Sequence, residues 1–580
     1  MHCELAYEIR RLRKQSQDSV ENTDSFGEYN RYMHVERQIE IELREILRKV
    51  NSNSEKNLFL LCGSAGDGKS HLMSYLKHND DEHLLDTFEL YNDATESSEP
   101  RLTSIDTLAE KLSRFSDEHI DENDNTKVII AINLGTLSNF IESDKGKQYT
   151  RLKKYVVQNG ILSGYSKKSS FIEGSIFQHV NFSDYQVFAL DGSGYKTTFL
   201  EDLMKKVFDD SLDNPFYIGY TKCENCTYKS RCPVKHNFEY LSDEIRQKAI
   251  IKRIVQAVIM DKAIVSTREV LNLLHDLIIH PEFDPEKIKI GVTDVQYLTD
   301  YIRWTTPMLL NEYNDISPLL NMLKRHDVLK ERTVSSDEDA LKFHSMTNIR
   351  KVFIESTQNT PYQVISDLTQ VDDLGGIKPE LKKIVYRFIA RINGLDAENS
   401  EESKSEKRLA EFISYLYYQN THNERQLRQL YEIAKKAIMA WNGQFGDDYI
   451  CIDDTNERYW ILEYLNIVPA PDIVASVSNE SIQRFAPTVK LKFKQDGMNE
   501  EVEELSVDFA LFELISDMNE GYRPTVKDKN LHTDFASYVN RVIEFGNKSK
   551  RITIIPKGAD KNEKYIFSRN SFSYDFKVES

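Results

Sequence analysis

A short glycine-rich segment carries the clearest chemistry in this sequence. Residues 63–70 read Gly-Ser-Ala-Gly-Asp-Gly-Lys-Ser and match the pattern Gly-x-x-x-x-Gly-Lys-Ser. Glycines let the backbone fold into a nest whose N–H groups point at phosphate oxygens. Lys69 would place an ammonium between the β- and γ-phosphates of ATP, and the Ser70 hydroxyl would bind Mg²⁺. The predicted ATP-binding residues are Gly63, Ser64, Ala65, Gly66, Asp67, Gly68, Lys69, Ser70 and His71.

The sequence on both sides of this segment favours phosphate binding. The apolar run Leu58–Cys62 precedes it and predicts a buried strand. A helix would begin near Lys69 and present Leu72, Met73 and Leu76 to a core. Phosphate binding requires this order, because the N-terminus of the following helix adds its positive dipole end. A surface turn rich in small residues is the alternative, and we consider it much weaker in this context.

The acid that would activate the attacking water is not determined by the sequence. The strand-like run 88–91 is followed by Asp93 and Glu96, which could hold Mg²⁺ and act on the water, respectively. A polar loop that caps the next helix explains both acids about as well. A second run, 128–132, ends at Asn133. Asn133 is either the polar residue that senses the γ-phosphate from a neighbouring strand in AAA+-like ATPases, or the end of a metal-binding strand that has lost its acid.

An arginine early in a predicted lid helix is the last catalytic candidate. Arg268 could reach back to the γ-phosphate and link nucleotide state to lid position. An exposed helix arginine paired with a nearby acid is an equally good interpretation. The candidate catalytic residues are therefore Lys69, Asp93, Glu96, Asn133 and Arg268, and the predicted Mg²⁺ ligands are Ser70 and Asp93.

Three cysteines and a histidine crowd into one short segment. Cys223 and Cys226 are separated by two residues, and Cys232 and His236 follow. A tetrahedral Zn²⁺ bound by these four side chains is the simplest closed site, and its role would be structural. An iron–sulfur cluster is the less favoured alternative: Cys232 precedes a proline, as in some clusters, but the usual fourth cysteine is not nearby in the sequence.

A basic strand near the C-terminus has two interpretations. Three lysines alternate with apolar residues there: Lys490, Lys492 and Lys494. They could follow a phosphate backbone. The next candidate strand carries three acids: Glu501, Glu503 and Glu504. Cross-strand ion pairs therefore explain the lysines without nucleic acid, and we favour that interpretation.

The elements around these residues predict an α/β fold of the P-loop NTPase class, ASCE/AAA+-like, with a parallel sheet and a helical lid. The C-terminal portion reads as mixed helical and α/β. The polar stretch Asp396–Lys407 is the best candidate linker. The predicted domains are an N-terminal helical segment (1–50), an α/β NTPase domain with a Cys-rich metal-binding insertion (51–240), a helical lid (241–345), a helical domain (346–465) and a small α/β module (466–580).

The composition bounds the class of protein. With 40% hydrophobic and 29% charged residues, the chain of 580 residues is typical of globular proteins. Its net charge of −18 argues against coating of nucleic acid through the overall field, although a local basic groove stays open. No apolar run approaches the ~20 residues of a membrane span. The first residues contain no signal-peptide core. We therefore expect a cytoplasmic protein without a membrane partner.

Several stretches together resemble the DptF-type ATPases of DNA phosphorothioation-dependent restriction systems. The resemblance covers roughly the N-terminal half, and the C-terminal half carries no motif that matches. The Asn-Asp-Ala-Thr-Glu-Ser and Ile-Asn-Leu-Gly pieces are more particular than the glycine-rich loop, which many ATPases share. The matching stretches are residues 34–40, 63–72, 92–97 and 132–135, the cysteine-rich segment that ends at Cys232, and residues 266–269.

This resemblance implies an ATP-hydrolysing component of a bacterial antiviral defence complex. It would act with two partner proteins, the G and H components, against DNA that lacks the phosphorothioate modification, and it would meet DNA directly or through those partners. A homo-oligomer is left open. We recognise no nuclease constellation, so cleavage would fall to a partner. The alternative is a nucleotide-gated regulatory scaffold that recruits partner proteins with little turnover, which the lack of an acid at Asn133 keeps open.

Overall fold

A buried apolar strand organises the first part of the chain. Strands β1 (Asn57–Gly63), β2 (Glu89–Tyr91), β3 (Lys127–Asn133) and β4 (Phe177–Asn181) form a parallel sheet in the order β2-β3-β1-β4. β1 is buried along its whole length because it has a neighbour on each side and helices on both faces. The α/β prediction is confirmed by this sheet.

The structure is a computed structural model, and two compact units divide the chain. The first contains residues 1–189 and 196–401, and the second contains residues 190–195 and 402–580. The division near residue 401 falls inside the polar stretch Asp396–Lys407. The finer domain bounds stay predictions.

The residues described are 3–21, 26–53, 55–92, 103–122, 124–163, 171–288, 295–312, 317–330, 337, 338, 340, 341, 343, 349–368, 379–396, 403–453, 456–471, 479–496, 504–545, 551–558, 564–569 and 573–579.

Helices surround the sheet and continue beyond it in the first unit. They are α1 (Glu4–Glu21), α2 (Glu28–Tyr32), α3 (Gln38–Asn51), α4 (Lys69–His78), α5 (Ser104–Lys111), α6 (Leu134–Glu142), α7 (Thr150–Gln158), α8 (Thr198–Phe208), α9 (Pro215–Thr221), α10 (Pro233–Leu241), α11 (Glu244–Met260), α12 (Thr267–Ile278), α13 (Val295–Arg303), α14 (Thr306–Glu312), α15 (Pro318–Leu323), α16 (Ile349–Ser356), α17 (Val364–Leu368) and α18 (Pro379–Asp396). None of the described helices combines the length and the apolar composition that a membrane crossing demands.

The two faces of the sheet bury alternate residues of β1. Leu58 and Leu60 pack into one apolar cluster with side chains of α5, α6 and α7. Phe59 and Leu61 pack into the other cluster, against α3 and α4. This alternation follows from the two-residue period of a strand, and it explains why β1 reads as an unbroken apolar run.

The helical pattern that runs from Asp243 to His280 in the sequence is interrupted in the structure. α11 ends at Met260 and α12 begins at Thr267. Lys262, between them, has a positive φ of 56°, and a reciprocal capping box of Ser266 and Glu269 starts α12. Local capping thus outweighs the apolar period at this point.

Further strands and helices complete the chain after residue 184. They are β5 (Tyr185–Asp191), β6 (Gly194–Lys196), β7 (Tyr449–Asp453), β8 (Tyr459–Tyr464), β9 (Ile467–Pro469), β10 (Ile482–Arg484), β11 (Val489–Leu491), β12 (Phe493–Gln495), β13 (Leu505–Val507), β14 (Arg551–Pro556), β15 (Lys564–Arg569) and β16 (Tyr574–Glu579), with helices α19 (Lys404–Asn420), α20 (Arg428–Ala440), α21 (Phe509–Asn519), α22 (Val526–Leu531) and α23 (Thr533–Phe545). β5 and β6 straddle the bounds of the two units.

The second unit combines helices with antiparallel strands. β14, β15 and β16 join β7 and β8 in a sheet of order β16-β15-β14-β8-β7. At the lysine-rich strand, Lys490 Nζ lies 2.8 Å from Glu504 Oε1, so the cross-strand ion pair is confirmed for Lys490. Glu501 and Glu503 lie outside the described residues.

A glycine behind α6 tests the packing of the sheet's helical layer. A Cβ added at Gly146 would lie 2.2 Å from Phe140 O and 2.8 Å from Ile141 C, so the backbone would have to move. We expect Gly146→Ala to lower the free energy of unfolding by about 1–3 kcal/mol. Gly135→Ala in α6 is the matched control, because a Cβ there meets nothing within 4 Å. The measurement is urea unfolding followed by circular dichroism, and equal midpoints for the two variants would contradict this packing.

Candidate functional site

The glycine-rich loop connects the end of β1 with the start of α4. Gly66 and Gly68 have φ values of 88° and 99°, a region that other residues adopt only with strain. The Leu72 N–H donates to Gly68 O at 2.9 Å and closes the first turn of α4. The loop therefore wraps around a helix N-terminus, where backbone N–H groups lack partners within the helix and favour an anion.

Charged side chains of the loop hold its shape. Lys69 Nζ donates to Ser64 O at 2.5 Å, and Asp67 Oδ2 accepts the Ser64 N–H at 2.5 Å. Ser183 Oγ lies 3.3 Å from the same carboxylate oxygen. Burial raises the pKa of Asp67, and the nearby Lys69 charge acts against that rise. Lys69 thus contacts the loop's own carbonyl, from which an anionic ligand could attract it.

A second cation reaches the loop from the segment between α2 and α3. Arg37 Nη1 donates to Asp67 O at 3.2 Å, and its guanidinium carbon lies 5.0 Å from the centre of the Phe199 ring and 5.8 Å from that of Phe182. Burial lowers the pKa of Arg37. Its Nε is buried and has no hydrogen-bond partner among the described residues. No sequence motif assigns Arg37 a role, and its only sequence signal is its place in the stretch 34–40.

Two asparagines lie at the carboxyl edge of the sheet. Asn133, the last residue of β3, stands opposite Gly63 in the parallel register. Its side chain makes no capping hydrogen bond to α6, which begins directly after it. Asn92 follows β2, and its Oδ1 is buried without a hydrogen-bond partner in the described part of the chain. Parallel strands commonly bind ligands at this edge.

The lid contacts the loop through Arg268, the second residue of α12. The Arg268 backbone nitrogen lies 3.5 Å from Gly66 O. A Cβ added at Gly66 would lie 3.2 Å from the Arg268 Cβ, so the helix and the loop are in close contact. Burial lowers the pKa of Arg268. The structure thus brings Arg268 to the predicted phosphate loop, about 200 residues away in sequence.

One cavity connects these groups. Loop residues 65–71, Asn92, Asn133 and Arg268 line it. Its apolar lining residues are Leu12, Met33, Val35, Ile39, Leu203 and Leu271. The cavity therefore offers polar groups to an anion and apolar surface to the rest of a ligand.

A histidine pair flanks the cavity. His71 Nε2 lies 3.3 Å from His34 Nδ1, and His34 Nε2 lies 3.1 Å from Glu40 Oε2. Burial, and next the charge of His34, lower the pKa of His71 to about 4. His71 is therefore neutral at pH 7 and adds no positive charge to the phosphate end.

The acids predicted to serve catalysis cannot be located. Asp93 and Glu96 lie outside the described residues, so their roles as Mg²⁺ ligand and base stay predictions. Asp93 directly follows Asn92, which lines the cavity. Ser70, the other predicted Mg²⁺ ligand, lines the same cavity.

The four predicted zinc ligands are not brought together around one ion. No group of three or more His, Cys, Asp or Glu side chains among the described residues is arranged to hold a metal ion. His236 Nδ1 instead lies 2.5 Å from Tyr301 Oη, and burial lowers the pKa of His236 to about 4. Cys223 and Cys232 are buried and Cys226 is half-buried. His236 thus packs against α13, which the spacing of the four residues did not reveal.

Comparisons with known proteins were made at three levels. Models of protein families, curated proteins and solved structures give no match to this chain.

The buried carboxyl of Asp67 predicts a pH dependence of stability. Its pKa in the folded chain is raised above the ordinary 3.8. Its favourable contribution to stability is therefore complete below that value and is lost as the pH rises through the raised pKa. An asparagine does not ionise, so the Asp67→Asn variant does not lose stability in this way. The free energy of unfolding of the variant, relative to that of the wild type, should therefore rise between pH 4 and pH 7. The measurement is urea unfolding at a series of pH values.

The matched control is Asp124→Asn. Burial acts against the change, but the hydrogen bond from Lys56 lowers the pKa of Asp124 to about 2. The contribution of Asp124 is thus fully present above about pH 4, and its variant should show a constant deficit from pH 4 to pH 7. A parallel, constant difference for Asp67→Asn would contradict the burial of its charge.

Proposed function

We propose that this chain is a P-loop NTPase, ASCE/AAA+-like, that binds and hydrolyses ATP with Mg²⁺. The observation that carries the proposal is the loop of residues 63–68 between buried β1 and the N-terminus of α4, with Lys69, Asn133 and Arg268 on one cavity. Such an arrangement offers preorganised N–H donors and cations to a triphosphate. The apolar lining residues of the same cavity offer a surface on which a nucleobase could pack.

Each side chain has a distinct role in this proposal. Lys69 leaves Ser64 O and moves to the β- and γ-phosphates, and Ser70 binds Mg²⁺. Asn133 orients the attacking water or the γ-phosphate from the strand next to the loop. Arg268 neutralises charge that develops on the γ-phosphate. Its contact with Gly66 couples nucleotide binding to the position of α12. Arg37 supports the loop through Asp67 O.

The strand order supports Asn133 as the sensing residue and Asp93 as the acid. β3 lies between β1 and β2, so Asn133 is on the strand adjacent to the loop. The chain that leaves β2 starts one strand further out, and Asn92 already lines the cavity. Asp93 directly follows Asn92 in the sequence and is our candidate for the acid that acts on Mg²⁺ through water. Glu96 remains the candidate for the base.

We further propose the biological setting that the resemblance implies: the ATPase component of a phosphorothioation-dependent restriction complex that acts on unmodified DNA. The stretches that carry the resemblance are far apart in the sequence, yet they contribute Arg37, Lys69, Asn133 and Arg268 to one cavity. A shared site is what a common catalytic function would preserve. DNA contact, partner subunits and a homo-oligomer belong to this proposal, and cleavage falls to a partner.

A nucleotide-gated scaffold is the second candidate function. The packing of Arg268 against Gly66 favours it, because occupancy of the loop would move α12 whether or not hydrolysis follows. Slow turnover in both the wild type and Asp93→Ala, together with nucleotide-dependent binding of partner proteins, would favour the scaffold over the motor.

The central test is ATP turnover by Lys69→Ala. We expect turnover to fall by about 10²-fold or more, since an ammonium that stabilises the transferring phosphoryl group is lost. Lys77→Ala is the matched control, because Lys77 is an exposed lysine of the same helix, α4. Undiminished turnover in Lys69→Ala would refute the ATPase.

The same assay tests the setting. Turnover is measured without DNA, with unmodified duplex and with phosphorothioate-modified duplex, in the presence and absence of partner proteins. Stimulation by the unmodified duplex supports the restriction role. Turnover that is indifferent to DNA under every condition refutes that role and leaves the ATPase standing.

Arg268→Ala separates binding from catalysis. We expect kcat to fall by about 10³-fold, the effect of removing an arginine from a phosphoryl-transfer site, while KM for ATP changes much less. Arg303→Ala, which removes an exposed arginine of α13, should leave both constants unchanged. An equal loss in the two variants, or a change confined to KM, would contradict the role given to Arg268.

A further inference from the structure

The start of α1 packs beside the cysteine-rich segment. Cys3 directly precedes this helix. A Cβ added at Gly219 would lie 3.2 Å from Leu5 Cα, so α1 and α9 are in close contact. Lys222 Nζ lies 3.6 Å from Glu4 Oε2, which fixes the same end of α1 against the residue before Cys223. Cys3, more than 200 residues away in sequence, is thereby held next to the three other cysteines.

Local hydrogen bonds shape the segment that contains these three cysteines. The Cys226 N–H donates to Cys223 O at 2.9 Å in a tight turn. Cys232 stands at the N-terminus of α10, where its thiol accepts backbone N–H groups of Val234 and Lys235. A helix N-terminus stabilises a thiolate there. Cys223 and Cys232 are buried, whereas Cys3 and Cys226 are half-buried.

The four thiols interact electrostatically. Burial raises the pKa of Cys223 to about 12, and Cys3 and Cys226 add to that rise. Burial likewise raises the pKa of Cys232 to about 12, and Cys3 and Cys223 act in the same direction. Cys3 is therefore within interaction range of both Cys223 and Cys232, although it is distant from them in the sequence.

The geometry points to a four-thiolate iron–sulfur centre of the [4Fe–4S] class, bound by Cys3, Cys223, Cys226 and Cys232. Cys3 is the fourth cysteine that the spacing in the sequence lacked, and it takes the place of His236. His236 Nδ1 is hydrogen-bonded to Tyr301 Oη, and the proposed group consists of the four thiols alone.

The residue that follows the last cysteine favours the cluster over a single zinc ion. Four cysteines could bind either group. The last cysteine of an iron–sulfur motif is often followed by a proline, as at Cys232-Pro233. Lys222 and Lys235 nearby would offset the negative charge of such a cluster.

The centre would tie α1 to the segment before α10. α1 also contributes Leu12 to the lining of the cavity. The cluster would therefore stabilise the position of α1 and of Leu12. This role does not depend on ATP hydrolysis. The readouts below measure metal content and folding, and they stand whether or not the chain hydrolyses ATP.

The test uses the full chain, purified without oxygen from cells supplied with iron. Iron, acid-labile sulfide and zinc are measured per chain, with the visible absorption spectrum. We expect about four iron and four sulfide in the wild type, as a [4Fe–4S] centre requires. Cys3→Ser should lose at least half of both together with the visible absorption. His236→Ala, and Cys451→Ser in the second unit, should keep them.

Circular dichroism shows whether Cys3→Ser still folds. If that variant does not fold, Cys226→Ser, at a half-buried position, repeats the metal measurement. Zinc in place of iron overturns the cluster, as does the absence of both metals. Full iron in folded Cys3→Ser, or loss of iron on His236→Ala, overturns the assignment of Cys3.

Discussion

The parallel pairing of β1 with β3 is the constraint on which the site depends. It sets Gly63 opposite Asn133, so the start of the glycine-rich loop and the end of the neighbouring strand meet at one edge. β1 can occupy the middle of the sheet because its alternate residues are buried in two separate apolar clusters. Hydrophobic burial of this kind is the main driving force of folding. The loop, α4 and Asn133 then converge without any further positioning device.

Charge is the second theme of the site. Lys69, Arg37 and Arg268 converge on a loop that contains one acid of its own, Asp67. Lys69 and Asp67 are both buried, and each is hydrogen-bonded to the backbone of Ser64. Buried charges are costly unless they are paired and hydrogen-bonded. An excess of cations over acids at a helix N-terminus is thus a preference for a polyanion, built into the folded chain before any ligand arrives.

Contacts between distant segments recur around this site. α11 ends at Met260, and the cap at Ser266 starts α12, so that Arg268 contacts Gly66. The N-terminal helix supplies Leu12 to the cavity and holds Cys3 beside the cysteine-rich segment. In both cases, a local turn of the backbone accompanies a contact between segments that are distant in the sequence. Nucleotide binding and the proposed metal centre would therefore act on the same helical framework.

The sequence by itself determined the glycine-rich loop, the strand before it and the helix after it. Glycine at positions of positive φ, a lysine-serine pair and an apolar run are local features, and local backbone physics fixes their structure. Only the tertiary structure decided the strand order, the contact of Arg268 with Gly66, the approach of Arg37, the turn of His236 towards Tyr301 and the approach of Cys3. These depend on which distant segments bury apolar surface against each other, and a one-dimensional pattern of residue types does not encode that choice.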